Sequence, residues 1–341
     1  MGGIVDRKNE HISICLEEDV ESGRAPGLGR WRLDYRALPE LNLDEVDLTT
    51  QLLGRALRAP LLIGAMTGGS EEAGRINRVL AEAAQRCAIG FAMGSGRVAI
   101  ERPEAMASFQ VRDLAPDALI FANLGAIQFN YGLEAEYANH LVREMGADAI
   151  NLHLNPLQEA IQPGGDTDFS GLLDRLAGVV EKIEAPVLFK EVGSGIGAST
   201  ARDLAKLPVA GLETAGVGGT SWARVEALRQ PEDRAQFAGN ALAGLGVPTA
   251  ESIIACREAL GEDRLVVASG GIRTVEHMGT ALALGSNAVA SARPFLEAAQ
   301  GGVEEVVTLI EHYIHALRVL HFACGARTPL DLRGRVVEAP G

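Results

Sequence analysis

Residues 265–295 read LVVASGGIRTVEHMGTALALGSNAVASARPF, and this stretch decides the fold. A short apolar run, Leu265–Ala268, ends in Ser269-Gly270-Gly271, a helical pattern stops at Gly285, and a second apolar run covers Ala288–Ala290. The order strand, glycine turn, helix, strand predicts one βαβ unit. Glycines after a strand let backbone N–H groups approach an anion, and the start of the next helix adds partial positive charge. We therefore interpret the turn as a phosphate-binding loop; the alternative is an ordinary βα turn that needs glycine for geometry alone.

The same alternation of short apolar runs and amphipathic segments begins near residue 60 and continues along the chain. The predicted strands are Pro60–Ala65, Ile89–Met93, Leu119–Asn123, Ala149–His153, Val187–Val192, Ala210–Thr214, Leu265–Ser269 and Ala288–Ser291. The predicted helices are Glu71–Arg86, Pro103–Asp113, Leu133–Met145, Gly171–Ile183, Ser199–Leu207, Thr249–Leu260, Thr274–Leu284 and Val303–Phe322. Eight such repeats favour an α/β protein with a closed (β/α)₈ TIM barrel, in which the loops after strands 7 and 8 are the usual phosphate site.

Two segments lie outside this alternation. Residues 1–59 precede the first predicted strand and form an N-terminal extension, and residues 215–248 make a long connection that is often a functional feature. We predict a single domain over residues 1–341, with the barrel at about 60–322 and the extension contributing to the active site.

Composition limits the classes of function. The net charge of −14 argues against nucleic acid as a partner, although an anionic small molecule can bind in a local basic pocket. The four cysteines, Cys15, Cys87, Cys256 and Cys324, form no CxxC pair, which is typical of reduced cytosolic thiols. No apolar run is long enough to cross a membrane, so we expect a soluble cytoplasmic protein with no membrane partner.

Polar residues at the ends of the predicted strands are the candidates for chemistry, because barrel active sites are built from these ends. Lys190 lies in an otherwise apolar strand and either faces an anionic ligand, forms a Schiff base or pairs with Glu191. His153 is either a catalytic group or a structural histidine. Glu159 either binds a cation such as Mg²⁺ or is a solvated loop carboxylate.

The N-terminal segment Arg7-Lys8-Asn9-Glu10-His11 has two interpretations. It can fold over the barrel mouth and hold a phosphate, or it can be a solvated tail. From the residues alone the tail is favoured.

Several motifs together resemble one family. They are Arg7-Lys8 with His11, Met66-Thr67-Gly68-Gly69, Asn123-Leu124-Gly125-Ala126, His153-Leu154-Asn155-Pro156-Leu157-Gln158-Glu159, Lys190-Glu191-Val192-Gly193, Ala215-Gly216-Val217-Gly218-Gly219-Thr220-Ser221-Trp222 and Ser269-Gly270-Gly271-Ile272-Arg273. On these the chain resembles the type 2 isopentenyl diphosphate isomerases, which are flavin-dependent barrel enzymes. The Leu-Asn-Pro-Leu-Gln-Glu and Gly-Gly-Thr-Ser-Trp segments carry most of the specificity.

The resemblance implies an intramolecular isomerase of isoprenoid biosynthesis. The reaction converts isopentenyl diphosphate to dimethylallyl diphosphate, with reduced FMN as acid and base, NADPH as the reductant of the flavin and Mg²⁺ on the diphosphate. It also implies a homo-oligomer, a tetramer or octamer.

The site residues implied by the resemblance fall into four groups. The catalytic residues are His153, Gln158 and Lys190. Arg7, Lys8, Ser95, Arg97 and Gln158 bind substrate, and Glu159 holds the metal. The FMN-binding residues are Met66, Thr67, Gly68, Ser95, Asn123, Lys190, Ala215, Thr220, Gly271, Ile272, Arg273, Ala292 and Arg293.

The chain differs from the family pattern in places. Gly96 stands where the family has glutamine, so an amide is expected to be missing near the substrate, Glu213 replaces an aspartate, and Asn9 replaces an aspartate. The segment Phe237–Thr249 is longer than usual and carries Leu245 where a tryptophan is common. Two alternatives remain: an FMN-dependent oxidoreductase of the 2-hydroxy-acid oxidase type, and a non-catalytic homologue that binds flavin or prenyl diphosphate.

Overall fold

The computed structural model describes residues 4–230 and 233–339. Its strands are β1 (Trp31–Leu33), β2 (Thr50–Leu52), β3 (Arg55–Leu57), β4 (Leu61–Ile63), β5 (Gly90–Ala92), β6 (Ile120–Gly125), β7 (Ala149–His153), β8 (Val187–Lys190), β9 (Gly211–Glu213), β10 (Leu265–Ala268), β11 (Ala288–Ser291) and β12 (Val336–Glu338). Its α-helices are α1 (Ile4–Glu17), α2 (Glu71–Cys87), α3 (Arg97–Glu101), α4 (Ala135–Met145), α5 (Pro156–Ile161), α6 (Leu172–Val180), α7 (Ala198–Leu204), α8 (Trp222–Leu228), α9 (Asp233–Ala241), α10 (Thr249–Leu260), α11 (Val275–Ala283), α12 (Arg293–Ala299), α13 (Val303–Ala323) and α14 (Pro329–Leu332).

Strands β4 to β11 form a closed parallel barrel, so the (β/α)₈ prediction is confirmed. All eight predicted strands are present: β7 and β11 have the predicted bounds, β6 is one residue longer, and the other five are shorter. The register places His153 of β7 beside Lys190 of β8, and Lys190 beside Glu213 of β9. Three consecutive strands therefore bring three ionisable side chains to one level at the carboxyl end of the barrel.

Alternation along the strands separates an apolar layer from a polar one inside the barrel. Leu62, Phe121, Leu188 and Val267 belong to the apolar layer, which the β2–β3 hairpin closes at the opposite end with Leu52 and Leu57. Two residues further along the strands, the inward positions are polar and buried. They are Asn123, Asn151, Lys190, Glu213 and Ser269. Each crossover helix packs its apolar face against the outside of the barrel.

The N-terminal segment is a helix across the barrel mouth, which overturns the solvated-tail interpretation. Helix α1 contacts α2, α8 and α12, and His11 and Ile12 on it are buried. Further along the extension, β1 pairs with β12 in an antiparallel ribbon that joins the N-terminal extension to the last strand of the described chain. This pairing links residues about 300 positions apart, and no local pattern in the sequence signals it.

Two expectations about loops and helices need correction. Residues Pro103–Phe109 form a 3₁₀ helix, and the α-helix of that crossover is the short α3 before it, because Pro103 stops α3 and starts a new turn. The connection at residues 215–248 contains helices α8 and α9 within its described residues, and α5 was not predicted either. Helices α5 and α8 contact each other beside the barrel mouth.

None of the helices in the described residues combines the length and the apolar character that crossing a bilayer requires.

Candidate active site

Three cavities meet at the carboxyl ends of the barrel strands. The first is bordered by α1 and α3, the second by the loop after β10, and the third by α1 and α12. Ala65 and Trp222 border all three, so the cavities form one continuous site. The first cavity is bordered by the predicted residues Arg7, Lys8, Met66, Ser95, Arg97, Asn123, His153, Gln158, Glu159 and Lys190. The second and third are bordered by Met66, Thr67, Lys190, Ala215, Thr220, Gly271, Ile272, Arg273, Ala292 and Arg293.

The first cavity contains a cluster of positive charge. Arg7 and Lys8 reach it from α1, and Arg97 reaches it from the start of α3. Lys8 forms no hydrogen bond or ion pair with any other described residue, and the buried Nε of Arg7 also lacks a partner there. Burial, with repulsion from Arg7, lowers the pKa of Lys8 to about 8. Half-buried cations with donors that lack a protein partner fit an anionic ligand.

A buried carboxylate that the sequence did not reveal holds α1 over this cavity. Glu226 on α8 is fully buried, and its Oε1 accepts hydrogen bonds from His11 Nε2 at 3.0 Å and from Gln158 Nε2 at 3.1 Å. Its Oε2 accepts from Arg229 Nη1 at 2.7 Å. With the Gln162 amide rotated so that both its groups face suitable partners, its nitrogen donates to Glu226 Oε1 at 3.2 Å and its oxygen accepts from Arg7 Nη1 at 3.2 Å.

The electrostatics of this cluster keep Glu226 ionised. Burial acts to raise the pKa of Glu226, but the hydrogen bond from His11 and the charge of Arg229 outweigh burial and hold the pKa at about 2. Burial also lowers the pKa of His11, so the imidazole is neutral near pH 7 and donates a hydrogen bond to a charged acceptor. In the sequence, only the i, i+4 spacing of Trp222 and Glu226 on one helix face could have indicated a role for Glu226, and that indication is weak.

Glu159 lies at the far wall of the first cavity, on the short helix α5. It is buried and accepts hydrogen bonds from Asn155 Nδ2 at 2.9 Å and from the backbone N–H of Asp166 at 2.8 Å. The solvated-loop interpretation of Glu159 is therefore wrong. The buried Oδ1 of Asn155 has no partner among the described residues.

A metal at Glu159 would need ligands from outside the protein. The described residues contain no group of three or more His, Cys, Asp or Glu side chains arranged to hold a metal ion. Mg²⁺ commonly takes one or two carboxylates and completes its shell with water and substrate phosphate oxygens, so a single carboxylate beside a cationic chamber fits that mode.

Asp166 is a second carboxylate that the sequence did not reveal. It accepts a hydrogen bond from Arg97 Nη1 at 2.6 Å and one from Gln128 Nε2 at 2.8 Å, and so fixes Arg97 at the cavity wall.

His153 ends β7 inside the first cavity. Its Nδ1 lies 2.7 Å from Asn123 Oδ1, which accepts a hydrogen bond when Nδ1 carries the proton. Burial, with the positive charges of Lys190, Lys8 and Arg97, lowers the pKa of His153 to about 3. The imidazole is therefore neutral at ordinary pH, with Nε2 free to accept a hydrogen bond.

Lys190 is buried, and its ion-pair partner is Glu213 rather than the adjacent Glu191. Its Nζ lies 3.5 Å from Glu213 Oε1 and donates to the backbone oxygen of Glu191 at 2.7 Å. Ser269 Oγ also donates to Glu213 at 2.8 Å. The carboxylate of Glu191 points away and accepts from successive backbone N–H groups, among them Val192 at 2.6 Å. The ammonium of Lys190 therefore lies at the junction of the first and second cavities, neutralised by one buried carboxylate.

The loop after β10 forms one wall of the second cavity. The backbone N–H groups of Gly271, Ile272 and Arg273 donate to no acceptor in the described part of the chain. Arg273 and Arg293 border the same cavity. Free N–H groups beside two guanidinium groups match a phosphate ester, as predicted for this stretch.

The glycines of this loop have a second reason to be glycine. A Cβ on Gly270 would lie 2.1 Å from the backbone oxygen of Gly216, and one on Gly271 would lie 2.1 Å from that of Gly218. Both glycines also have positive φ angles, of 103° and 64°. Close packing between the loops after β9 and β10 thus requires glycine whether or not a ligand binds, so the two interpretations of this turn are compatible.

Two glycine positions differ from what the sequence suggested. Gly68 does not border the three cavities, and a Cβ there would meet the Phe109 ring at 2.0 Å. A Cβ on Gly96 would lie 2.7 Å from Cε of Met145 and 3.1 Å from Leu141, so a side chain at 96 would point under α4. The Cβ direction at Gly96 therefore leads toward α4, and the expectation of a missing amide stays a prediction that Gly96→Gln tests.

Comparison with known proteins gives full-length relatives. The chain is 48% identical over 317 residues to an isopentenyl-diphosphate delta-isomerase of Synechococcus sp., covering 93% of this chain and 91% of that protein. It is 47% identical over 332 residues to one of Deinococcus radiodurans, covering 97% of each. A third such relative, from Mycolicibacterium vanbaalenii, is 47% identical over 336 residues, covering 98% of this chain and 97% of the relative.

Other likenesses concern the barrel. Residues 238–338 match the family model of FMN-dependent dehydrogenases. A mandelate oxidase structure aligns with a TM-score of 0.67 at 17% identity, covering 97% of this chain and 98% of that one. Flavocytochrome b2 aligns with a TM-score of 0.66 at 15% identity, covering 92% and 76%. At these identities the likeness shows the fold alone.

Proposed function

Because the chain belongs to the isopentenyl-diphosphate delta-isomerase family, a family of isomerases, we propose that it converts isopentenyl diphosphate to dimethylallyl diphosphate with FMN and Mg²⁺. NADPH is proposed as the reductant of the flavin. One observation carries the proposal: a chamber bordered by Arg7, Lys8 and Arg97 joins, through Lys190, a second chamber with free backbone N–H groups and two arginines. The two anion-binding regions suit a prenyl diphosphate and a flavin phosphate.

The residues around the second and third cavities fit FMN. Thr67 Oγ1 is buried without a partner among the described residues, and it borders the third cavity as a free polar contact for a ligand. Gly271, Ile272, Arg273, Ala292 and Arg293 would hold the phosphate end, and Met66, Thr67, Lys190, Ala215 and Thr220 would line the rest. The other two proposed FMN contacts, Ser95 and Asn123, would reach the flavin from the first cavity. Gly68 would act through the backbone of the loop that carries Thr67. When bound and reduced, FMN supplies an acid and a base able to move a proton at an unactivated allylic carbon.

The chain's own contribution is binding and electrostatics. Arg7, Lys8 and Arg97 would neutralise the diphosphate, with Ser95 and Gln158 as neutral donors on the same chamber wall. These interactions involve the part of the substrate that does not react, and they fix the position of the prenyl group. Lys190 places a positive charge beside the cofactor region, and its partner Glu213 limits that charge.

Glu159 would hold Mg²⁺ against the diphosphate. The proposal is supported by its burial beside Arg7 and by the free oxygen of Asn155, which together suit a hydrated cation that shares substrate oxygens. His153 would contact the substrate as a neutral imidazole, accepting a hydrogen bond at Nε2 rather than supplying a positive charge.

The 2-hydroxy-acid oxidase alternative receives support from the fold alone. That chemistry needs a histidine base late in the barrel, and His277, His312, His315 and His321 all lie away from the three cavities. The non-catalytic alternative rested on Gly96, where a Cβ would point toward Met145 and Leu141 of α4.

Assembly and location are further proposals. We propose a cytoplasmic location and a homo-oligomer, a tetramer or octamer. The homo-oligomer agrees with the apolar surface near α9, where Phe237 is 76% and Leu245 is 55% exposed. Sedimentation-velocity measurements at several protein concentrations test this, and a monomer at every concentration would contradict it.

The direct test of the function is an anaerobic assay of purified protein with isopentenyl diphosphate, FMN, NADPH and Mg²⁺. Formation of dimethylallyl diphosphate, with NADPH consumed only in the amount that reduces the flavin, is the expected result. A colourless protein that ignores added FMN, or NADPH oxidation in step with turnover, would contradict it. Omitting Mg²⁺ in the presence of a chelator is the matched control and should stop turnover.

A further inference from the structure

Glu21 joins the two arginines of the proposed phosphate site. Its Oε1 accepts a hydrogen bond from Arg293 Nη1 at 2.9 Å, and the same oxygen accepts one from Arg273 Nη2. All three side chains are partly exposed, at 31% for Glu21, 39% for Arg273 and 25% for Arg293. One carboxylate oxygen therefore bridges two guanidinium groups that come from different loops of the barrel.

The backbone holds Glu21 in this position. Residues 20–22 run antiparallel to residues 219–221: the N–H of Ser22 donates to Gly219 at 2.9 Å, and the N–H of Ser221 donates to Val20 at 2.8 Å. Arg224 also donates to the backbone oxygen of Glu21 at 3.0 Å. Because both neighbours of Glu21 are fixed by hydrogen bonds, its carboxylate is placed by the fold and not by a flexible tail.

Glu21 approaches the arginines from the side opposite the cofactor region. Arg273 and Arg293 border both the second cavity and a groove on the outer surface, whereas Glu21 borders that outer groove and not the second cavity. The carboxylate thus does not occupy the place of a phosphate. It uses one amino group of each arginine, and other N–H donors of Arg273 have no partner among the described residues.

We propose that Glu21 is a positioning residue for the cofactor phosphate: it orients Arg273 and Arg293 toward the second cavity. The proposal rests on the function proposed above. Arginine side chains lose considerable rotamer freedom when they bind a phosphate, and holding them beforehand reduces that loss. A carboxylate near a phosphate also repels it, but this repulsion is screened at a partly exposed site, so orientation is the larger effect.

Comparing the binding of two flavins, FMN and riboflavin, distinguishes a role of Glu21 in phosphate binding from a structural role. FMN carries the phosphate and riboflavin lacks it, so a change that acts through the arginines alters FMN binding alone. The experiment measures the Kd of each flavin by fluorescence quenching with the wild-type apoprotein and with Glu21→Gln. Glu18→Gln is the matched control, because Glu18 borders the same outer groove and forms no ion pair in the described residues. Circular dichroism and thermal melting of each apoprotein check that the variants fold.

The expected result is an FMN Kd that rises about three- to tenfold in Glu21→Gln, as the loss of two partly exposed ion pairs would give. The riboflavin Kd should stay within error, and Glu18→Gln should match the wild type. Unchanged or tighter FMN binding would overturn the inference, tighter binding by showing that Glu21 competes with phosphate. An equal loss for both flavins would overturn it in favour of a structural role. Wild-type protein that binds neither flavin would overturn the proposed function, and this inference with it.

Discussion

His11 Nε2 lies 3.0 Å from Oε1 of Glu226, and the two residues are 215 positions apart in the chain. His11 also packs edge-on against Trp222, with ring centroids 5.0 Å apart. Helix α1 is thereby fixed to α8 at a fully buried carboxylate, and the fixed helix carries Arg7 and Lys8 into the first cavity. The proposed diphosphate site therefore exists only when the N-terminal segment is docked.

The first prediction concerns stability. Glu226→Gln should lower the melting temperature of the apoprotein by several degrees at pH 7, because Arg229 and His11 then lose a buried charged acceptor. The pKa of Glu226 in the fold, about 2, is below its ordinary value of 4.5. Its contribution is therefore complete above pH 4.5 and is lost as the pH falls toward 2.

Melting curves of wild type and Glu226→Gln from pH 7 to pH 3 test whether the stabilisation by Glu226 is lost as the pH falls. The difference between the two proteins should be constant down to about pH 4.5 and should shrink below it. Glu311→Gln, which removes an exposed pair with Arg58, is the control and should change little. A gap between wild type and Glu226→Gln that widens in acid would contradict the prediction.

The barrel was predictable because each βα unit repeats a local pattern: an apolar run, a polar or glycine end and a helix. The candidate residues followed from the same logic, since Lys190 and His153 lie at the carboxyl ends of strands. The docking of α1 followed only from the family resemblance, which placed Arg7 and Lys8 at the substrate, because His11 and Glu226 carry no pattern that links them. The direction in which a side chain at position 96 would point was not predictable either. It depends on how the loop of Gly96 packs against α4, which lies elsewhere in the sequence.

The second prediction concerns Lys8. Burial and Arg7 lower its pKa to about 8, so in the free enzyme Lys8 loses its charge as the pH rises through 8. A diphosphate would then meet one cation fewer, and kcat/KM should fall on the alkaline side with an apparent pKa near this value. In Lys8→Arg the side chain stays charged, and the alkaline fall should move to higher pH. Identical alkaline limbs in the two proteins would assign that ionisation to another group.

The third prediction concerns Glu159. Glu159→Gln keeps the shape of the side chain and an acceptor for the Asp166 N–H, but removes the charge that would hold Mg²⁺. Turnover at a fixed Mg²⁺ concentration should fall about 100-fold or more. FMN affinity should not change, because Glu159 borders the first cavity and neither of the other two.

Titration of activity against Mg²⁺, together with FMN binding measured by fluorescence, checks both parts. Glu101→Gln is the matched control, since Glu101 is an exposed partner of Arg97 beside the same chamber. Loss of FMN in parallel with loss of turnover would show that Glu159 supports the cofactor region rather than the metal.

The fourth prediction concerns His153. Burial and nearby cations hold its pKa at about 3, so it stays neutral over the range in which enzymes of this kind are assayed. His153→Gln should lower kcat/KM by a factor that is the same at every pH between about 5 and 8. The acid limb of the wild-type profile should persist in the variant. Disappearance of that limb in His153→Gln would mean that the imidazole titrates in the working range.

The fifth prediction concerns Gly96, where the sequence suggested that a family amide was missing. A Cβ at this position would lie 2.7 Å from Met145 and 3.1 Å from Leu141, both on α4, so Gly96→Gln adds volume to a packed core and no donor to the substrate chamber. Overpacking of this kind costs about 1–3 kcal/mol. The variant should melt at a lower temperature than wild type, and its kcat should not rise. Gly96→Ala, which adds the Cβ alone, should lie between them because Met145 can shift. If Gly96→Gln gained activity without losing stability, the side chain would face the substrate, and the family difference at this position would be a functional one.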